Sequence, residues 1–158
     1  MWDDQEVKVF RELIFNAEVE GVKLRQDCVV VLHKRSVYIY SYPEFEIVGQ
    51  IETFEAQRPI WGLSTSDTNF VLAIPSREEG RLIVKKALKG NVDPETIRAH
   101  RQSRVSNLAV SPDGRLLACV NARGKRVKIF DVNSRNCIRV LRRSFKVKET
   151  HEMLFNMK

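Results

Sequence analysis

Basic side chains suited to binding phosphate are concentrated near the end of the chain. Arg142 and Arg143 stand next to each other at a predicted strand-to-loop boundary. The planar guanidinium fork of arginine makes two-point contacts with phosphate oxygens, so an arginine pair is a candidate phosphate clamp. Arg123, Lys125 and Arg126 precede the pair and add positive charge. Because paired arginines more often form only a solvated strand edge, their meaning depends on the elements that position them.

The charge of the chain is divided unevenly along its length. Residues 1–100 carry 13 basic and 16 acidic residues, a net charge of −3, whereas residues 101–158 carry 14 and 4, a net charge of +10. A strongly basic segment indicates an anionic partner, which is a nucleic acid, a phosphoinositide surface or an acidic protein. A surface that only favours solubility is the alternative explanation.

Several classes of function lack their sequence signals. The chain has no Gly-x-Ser-x-Gly, phosphate-loop or dinucleotide motif and no metal-ligand spacing, so neither an enzyme nor a cofactor is expected. Apolar runs are too short to span a membrane, and the acidic N-terminus is unlike a signal peptide. Cys28, Cys119 and Cys137 stand in apolar strands and are predicted to be reduced core thiols of a cytosolic protein. His33 and His151 have no partner pattern and are predicted to lie on the surface.

Turn signals divide the chain into short strands. Ser111-Pro112-Asp113-Gly114 provides tight-turn chemistry, and similar signals recur about every ten residues. Four strands recur with a period of about 40 residues, which is typical of a propeller blade. Tyr38, Tyr40 and Tyr42 alternate on one strand, which indicates packing on one face rather than base stacking. The predicted strands are Val22–Leu24, Cys28–Leu32, Val37–Tyr40, Glu46–Ile51, Ile60–Leu63, Phe70–Ile74, Arg81–Lys85, Thr96–His100, Val105–Val110, Leu116–Val120, Arg126–Asp131 and Cys137–Leu141.

The pattern predicts an all-β protein, a partial WD40-type β-propeller of about three four-stranded antiparallel blades. Residues 1–158 form a single partial domain, with blades at roughly 20–52, 58–100 and 104–142. Partial blade strands are expected at both ends, at Trp2-Asp3-Asp4 and at Glu149–Phe155. Because a propeller closes with about four to eight blades, the chain is interpreted as a fragment or shortened form. A complete small β domain of another kind is the alternative.

Motifs along nearly the whole chain resemble those of the PROPPIN family, the WIPI-like seven-bladed WD-repeat propellers that bind phosphoinositides in autophagy. Their order and spacing are similar to those of the family, which makes the resemblance more specific than any single WD unit. The matching segments are Asp27–Leu32 with Val37–Tyr40 (D-x-V-V-V-L and I-Y-I-Y), Ile51–Phe54 (I-E-T-F), Ala99-His100 (A-H), Ser111–Ala118, Lys128–Asp131 (R-I-F-D) and Leu141-Arg142-Arg143 (F/L-R-R-G).

The resemblance implies lipid-binding residues at matching positions. Arg142 and His100 would belong to one head-group pocket, and Arg143 to a second. Asn121 and Lys125 stand where the family commonly has a serine and a threonine; Asn121 still donates to phosphate and Lys125 adds a point charge, but the hydroxyl geometry is lost. Ser144 replaces the glycine of the motif. Most of the second pocket and the membrane-inserting loop of the family would lie outside this sequence.

The resemblance therefore implies a scaffold protein of autophagosome formation that binds phosphatidylinositol 3-phosphate and 3,5-bisphosphate. Its partners would be phosphoinositide-containing membranes and autophagy-type proteins. It would be cytoplasmic and peripheral on the phagophore assembly site or on endosomal or vacuolar membranes. The alternative is a WD-repeat scaffold fragment that interacts with proteins independently of lipid. Nucleic-acid binding by the basic segment is a weaker possibility, and no nucleic-acid partner is expected.

Overall fold

The computed structural model describes residues 2–3, 8–9, 12–55, 58–90 and 93–142. Within these residues every regular element is a β-strand, and the strands form three four-stranded antiparallel sheets and one short hairpin. The prediction of an all-β fold built from three four-stranded blades is confirmed.

The sheets follow one another along the chain, and within each sheet the strands pair in sequence order. The hairpin pairs β1 with β2, and sheets 1, 2 and 3 contain β3–β6, β7–β10 and β11–β14. The strands are β1 Trp2–Asp3, β2 Lys8–Val9, β3 Val19–Leu24, β4 Cys28–His33, β5 Ser36–Ser41, β6 Ile47–Glu52, β7 Gly62–Leu63, β8 Leu72–Pro75, β9 Arg81–Lys85, β10 Glu95–Arg98, β11 Val105–Val110, β12 Leu116–Asn121, β13 Arg126–Asp131 and β14 Cys137–Arg142.

Two apolar layers hold neighbouring sheets together. We call the face of a sheet that is turned toward the following sheet its front, and the opposite face its back. Val30 and Ile39 on the front of sheet 1 pack with Leu72 and Ile74 on the back of sheet 2. The four side chains of this first layer are fully buried. The layer between sheets 2 and 3 has the same arrangement. Burial on both faces explains why the central strands read as continuous apolar runs.

The two outer faces differ in how well they are covered. On the back of sheet 1, Phe15 from the preceding segment packs against Tyr40 and the ring of His33. His33 is only 4% exposed, so the prediction that it lies on the surface is wrong. On the front of sheet 3, Leu116 and Leu141 remain 41% and 46% exposed.

Two of the three cysteines occupy the predicted environment. Cys28 and Cys119 are fully buried, and burial raises the pKa of each thiol to about 12. Cys137 is exposed on the outermost strand of sheet 3, so the prediction that it is a core thiol is wrong. The apolar strand context that suggested burial does not bury Cys137, because among the described residues β14 has no neighbouring strand on its outer side within the sheet.

A buried arginine joins sheets 1 and 2. Arg25 donates from Nε to Asp27 Oδ1 at 2.8 Å, while its Nη1 donates to Ser64 O at 3.0 Å and Asn69 O at 3.0 Å. Its side chain is 1% exposed. The loop that it holds continues to sheet 3, because the amide of Ser66 donates to the carbonyl of Pro112 at 2.8 Å.

Candidate functional site

The strand register places a row of basic residues on the back of sheet 3. Lys128 lies opposite Cys119, which is buried against sheet 2, so both side chains belong to the back face. Arg126 is two residues before Lys128 and therefore shares that face. Arg142 pairs directly with Arg126 across the β13–β14 ladder. The positive side chains of Lys128, Arg126 and Arg142 thus lie in a row on the back of sheet 3.

Arg126 and Lys128 of this row line an open cleft of about 500 Å³ between sheets 2 and 3. Residues 100–103, which connect β10 to β11, form one wall of the cleft. The opposite wall comes from the end of β12, the following turn and β13, and its residues are Asn121, Arg123, Lys125, Arg126 and Lys128. We call this space the basic cleft.

The lining of the basic cleft has one sign of charge. Arg101 on the first wall faces Arg123, Lys125, Arg126 and Lys128 on the second, and none of the described lining residues is acidic. A concave site with charges of a single sign focuses the electrostatic field and attracts counter-ions. The site is therefore suited to a multiply charged anion.

His100 has both a structural and a site-lining role. Its backbone amide donates to Gly80 O at 2.9 Å, and its Nε2 lies 3.6 Å from the thiol of Cys119. The side chain is 5% exposed and borders the basic cleft. Burial lowers the pKa of His100, and the positive charges of Lys128 and Arg126 lower it further. The neutral imidazole at pH 7 is a hydrogen-bonding group rather than a fixed charge.

Asn121 leaves a buried acceptor unused. Its side chain is 8% exposed, and its Oδ1 is buried without a hydrogen-bond partner. The backbone of Asn121 closes the β12–β13 turn, since its carbonyl accepts from the amide of Gly124 at 2.7 Å. That turn presents Lys125 to solvent at the mouth of the cleft. Because this oxygen has almost no accessible surface, a ligand donor would reach it only after a rotation of the side chain.

The structure brings together most of the residues that the resemblance singled out. His100, Asn121 and Lys125 line the basic cleft, and Arg142 lies on the same sheet face beside Arg126. Arg143 and Ser144 lie outside the described residues. The sequence reasoning missed Lys128 and Arg101. The alternation of Arg126, Lys128 and Phe130 on one face of β13 was the available signal for Lys128.

Within the described ranges, no helix is long and apolar enough to cross a membrane. The same residues contain no group of three or more histidine, cysteine, aspartate or glutamate side chains arranged to hold a metal ion.

Sequence relatives of the chain are autophagy proteins. Autophagy-related protein 18e of Arabidopsis thaliana is 29% identical over 153 residues, which covers 97% of this chain and 40% of that protein. SVP1-like protein 2 of Emericella nidulans is 31% identical over 161 residues, with 99% of this chain and 46% of that protein covered. The chain thus spans less than half the length of the curated relatives that it matches. No protein-family profile matches it.

Solved structures agree with the fold. Kluyveromyces lactis Hsv2 superposes with a TM-score of 0.73 at 16% identity, over 89% of this chain and 43% of that one. KlAtg21, solved in complex with the coiled-coil of AgAtg16, gives a TM-score of 0.70 at 22% identity, over 82% of this chain and 42% of that one. Together with the ordered sequence motifs, these comparisons indicate that the chain resembles part of a PROPPIN-type β-propeller.

Proposed function

We propose that the chain recognises phosphoinositide head groups through the basic cleft and acts as a membrane-recruited, non-enzymatic scaffold in autophagosome formation. The observation that carries this proposal is that all described charged side chains lining the basic cleft, a concave site between sheets 2 and 3, are positive. The autophagy role rests on the relatives.

The register of the last two strands supports an anionic ligand. Arg126 and Arg142 lie directly opposite each other, and like charges at such positions destabilise a strand pair. An anion placed between the two guanidinium groups removes this repulsion and gains charge-assisted hydrogen bonds. Binding is therefore favoured both by new contacts and by relief of an unfavourable pair.

The polar groups of the cleft suit an inositol phosphate in particular. The cations meet phosphate oxygens, while the side-chain amide of Asn121 borders the cleft as a hydrogen-bonding group for a ring hydroxyl. A volume of about 500 Å³ lies in the range typical of small-molecule sites. Basic residues near an anionic leaflet add roughly 1 kcal/mol each, so Arg123 and Lys125 would strengthen membrane attachment without reading the head group.

The proposed ligands are phosphatidylinositol 3-phosphate and the 3,5-bisphosphate. The protein would be cytoplasmic and peripheral on the phagophore assembly site or on endosomal or vacuolar membranes. Arg142 and Arg143 together, with His100, Asn121 and Lys125, are the residues proposed to bind the head group.

Vesicle sedimentation tests this proposal. The chain is expected to bind vesicles that contain either phosphoinositide more strongly than vesicles of equal charge made with phosphatidylserine. The double variant Arg142→Thr/Arg143→Thr should lose that selectivity because it removes two guanidinium forks. Lys34→Thr/Arg35→Thr is the matched control, since both residues form exposed ion pairs on sheet 1. Equal binding to all anionic vesicles, unchanged by the first variant, would refute the assignment.

Protein scaffolding independent of lipid is the second candidate. It is favoured by one observation, the solved complex of KlAtg21 with the coiled-coil of AgAtg16. A partner bound in this way should remain bound to the Arg142→Thr/Arg143→Thr variant at high salt. Nucleic-acid binding would instead give a steep linear fall of log affinity with log salt concentration.

A further inference from the structure

One buried position carries a lysine in sheet 2 and an aromatic residue in the sheets on either side. Lys85 of β9 corresponds by register to Tyr40 of β5 and Phe130 of β13. On the preceding strands, Leu72 pairs with Lys85, Val29 with Tyr40 and Leu117 with Phe130. All three side chains point to the back of their sheet. Lys85 is 6% exposed, Tyr40 is 8% exposed and Phe130 is 3% exposed. Sheet 2 therefore departs from the pattern at one position, with a charge in place of an aromatic ring.

Within the part of the chain that the structure describes, the Lys85 ammonium group makes no hydrogen bond and no ion pair. The stem of Lys85 is buried, whereas its ammonium nitrogen is not fully enclosed by the protein. An aromatic residue would fill this layer without bringing a charge, so the lysine is a local departure of the kind expected where a residue serves function.

The side chain of Lys85 crosses the front of sheet 1 beside a glycine. A β carbon at Gly49 would lie 3.5 Å from Cε of Lys85 and 3.2 Å from Cδ1 of Ile39. A carbon at 3.5 Å is in ordinary van der Waals contact, so the lysine stem passes directly beside Gly49 on its way to the outer rim. The ammonium group is thereby directed to the surface between β6 and the β9–β10 connection.

An open cleft of about 400 Å³ lies at that point. One wall is residues 48–51 of β6, and the other is formed by Lys85 with Gly90, Asp93 and Pro94. Because β6 is the outermost strand of sheet 1, one of its edges has no neighbouring strand within the sheet. An exposed strand edge accepts an added strand through main-chain hydrogen bonds.

We propose that this rim cleft binds an extended acidic peptide, with its main chain along β6 and one carboxylate on the Lys85 ammonium group. The nearby carboxylate of Asp93 determines the class of anion. A phosphate dianion would be repelled by Asp93, whereas a single carboxylate pairs with Lys85 at a smaller cost. The rim cleft thus differs from the basic cleft, whose described lining residues include no acid.

Fluorescence anisotropy with two labelled peptides tests the proposal. Each peptide has nine residues, alternates threonine and valine, and carries either one central glutamate or one central glutamine. The native chain is expected to bind the glutamate peptide about tenfold more tightly, because the lysine pairs only with a charged acceptor. Lys85→Met should abolish this preference, and Asp93→Asn should increase it. Lys89→Met, which removes the same charge from an exposed site on the same loop, should leave it unchanged.

Two further variants separate binding from folding. Lys85→Phe restores the residue type of the neighbouring sheets, so it should keep or raise the melting temperature while losing the preference for glutamate. Lys85→Arg should retain the preference because the charge remains. The proposal is overturned if the native chain binds both peptides alike, or if the preference survives in Lys85→Met. It is also overturned if inorganic phosphate or anionic vesicles compete with the peptide more strongly than acetate does.

Discussion

The boundary between sheets 1 and 2 and the boundary between sheets 2 and 3 share one backbone pattern but differ in chemistry. By register, Phe54 and Ile83 at the first boundary occupy the positions of His100 and Lys128 at the second. At the first boundary the guanidinium of Arg104 lies 5.3 Å from the ring centre of Phe54 and occupies the space. About 10 Å³ remains there, compared with about 500 Å³ at the second.

Charges near the first boundary are also neutralised within the protein. Arg81 pairs with Glu78 at 2.8 Å, and Arg77 pairs with Glu52 at 2.9 Å. The row of cations at the second boundary has no such acids in the described lining. The two boundaries thus share one backbone arrangement, and a few side chains give the second boundary its open cleft and its single sign of charge.

Gly80 should be the most sensitive position of the second boundary. Its φ is +72°, and a β carbon there would collide with the carbonyl oxygen of His100. Gly80→Ala is therefore expected to lower the free energy of unfolding by more than about 3 kcal/mol, measured by urea denaturation. Gly124→Ala is the control, since its φ of +64° is similar but no atom lies within 4 Å of the added carbon. It should cost only about 1 kcal/mol, and equal losses in the two variants would show that the close contact is unimportant.

Exchanging side chains between the two boundaries should remove anion binding. His100→Phe/Lys128→Ile gives the second boundary the residues of the first, which removes one charge and one hydrogen-bonding ring. Affinity for a short-chain phosphatidylinositol 3-phosphate, measured by calorimetry, should fall roughly 30-fold. The melting temperature should stay close to that of the native chain because both new residues are apolar and similar in size. Unaltered affinity would locate the phosphate site elsewhere.

Thr53 should affect stability at the first boundary without affecting binding. Its Oγ1 donates to the carbonyl of Pro75 at 2.9 Å, and its side chain is buried. Thr53→Val leaves that carbonyl unsatisfied, so the free energy of unfolding should fall by about 1 kcal/mol. Ser66→Ala removes an exposed hydroxyl and should cost less than about 0.5 kcal/mol. A loss of phosphoinositide affinity in Thr53→Val would contradict the separation of the two boundaries.

The smallest expected effect is a pH dependence of stability from His100. Burial, with help from the positive charges of Lys128 and Arg126, lowers the pKa of His100 below the ordinary histidine value of about 6.5. The unfolded chain therefore binds a proton at a higher pH than the folded chain does. Stability from this group is complete above pH 6.5 and decreases as the pH falls below it. His100→Gln should flatten this part of the stability profile, and an unchanged slope would assign it to another group.

Much of the fold follows from local patterns, and the departures have identifiable physical causes. Turn residues and apolar alternation placed all twelve strands of the three sheets close to their observed positions. The predicted strand Thr96–His100 ends earlier, at Arg98, because the amides of Ala99 and His100 both turn to the carbonyl of Gly80. The burial of His33 depends on Phe15, which packs on it from a separate segment that strand periodicity does not describe.

The candidate site was only partly accessible from sequence. His100, Asn121 and Lys125 came from family motifs, and the structure places them around one cleft. Lys128 was treated as an ordinary residue of an alternating strand. Its position on the cleft depends on which face of β13 meets sheet 2, and that choice is set by the packing of Cys119 and Phe130.

The buried contact of Arg25 has a consequence for how the molecule unfolds. When sheet 1 separates from sheet 2, the carbonyls of Ser64 and Asn69 lose their shared donor. The same loop is hydrogen-bonded to the carbonyl of Pro112 in a turn of sheet 3. Loss of the Arg25 contacts therefore affects sheet 3 through this loop as well as through the apolar layers. Stacked sheets with nearest-neighbour coupling unfold as linked units, like segments of a one-dimensional chain. Amide exchange should accordingly be slowest in sheet 2, which is held from both sides.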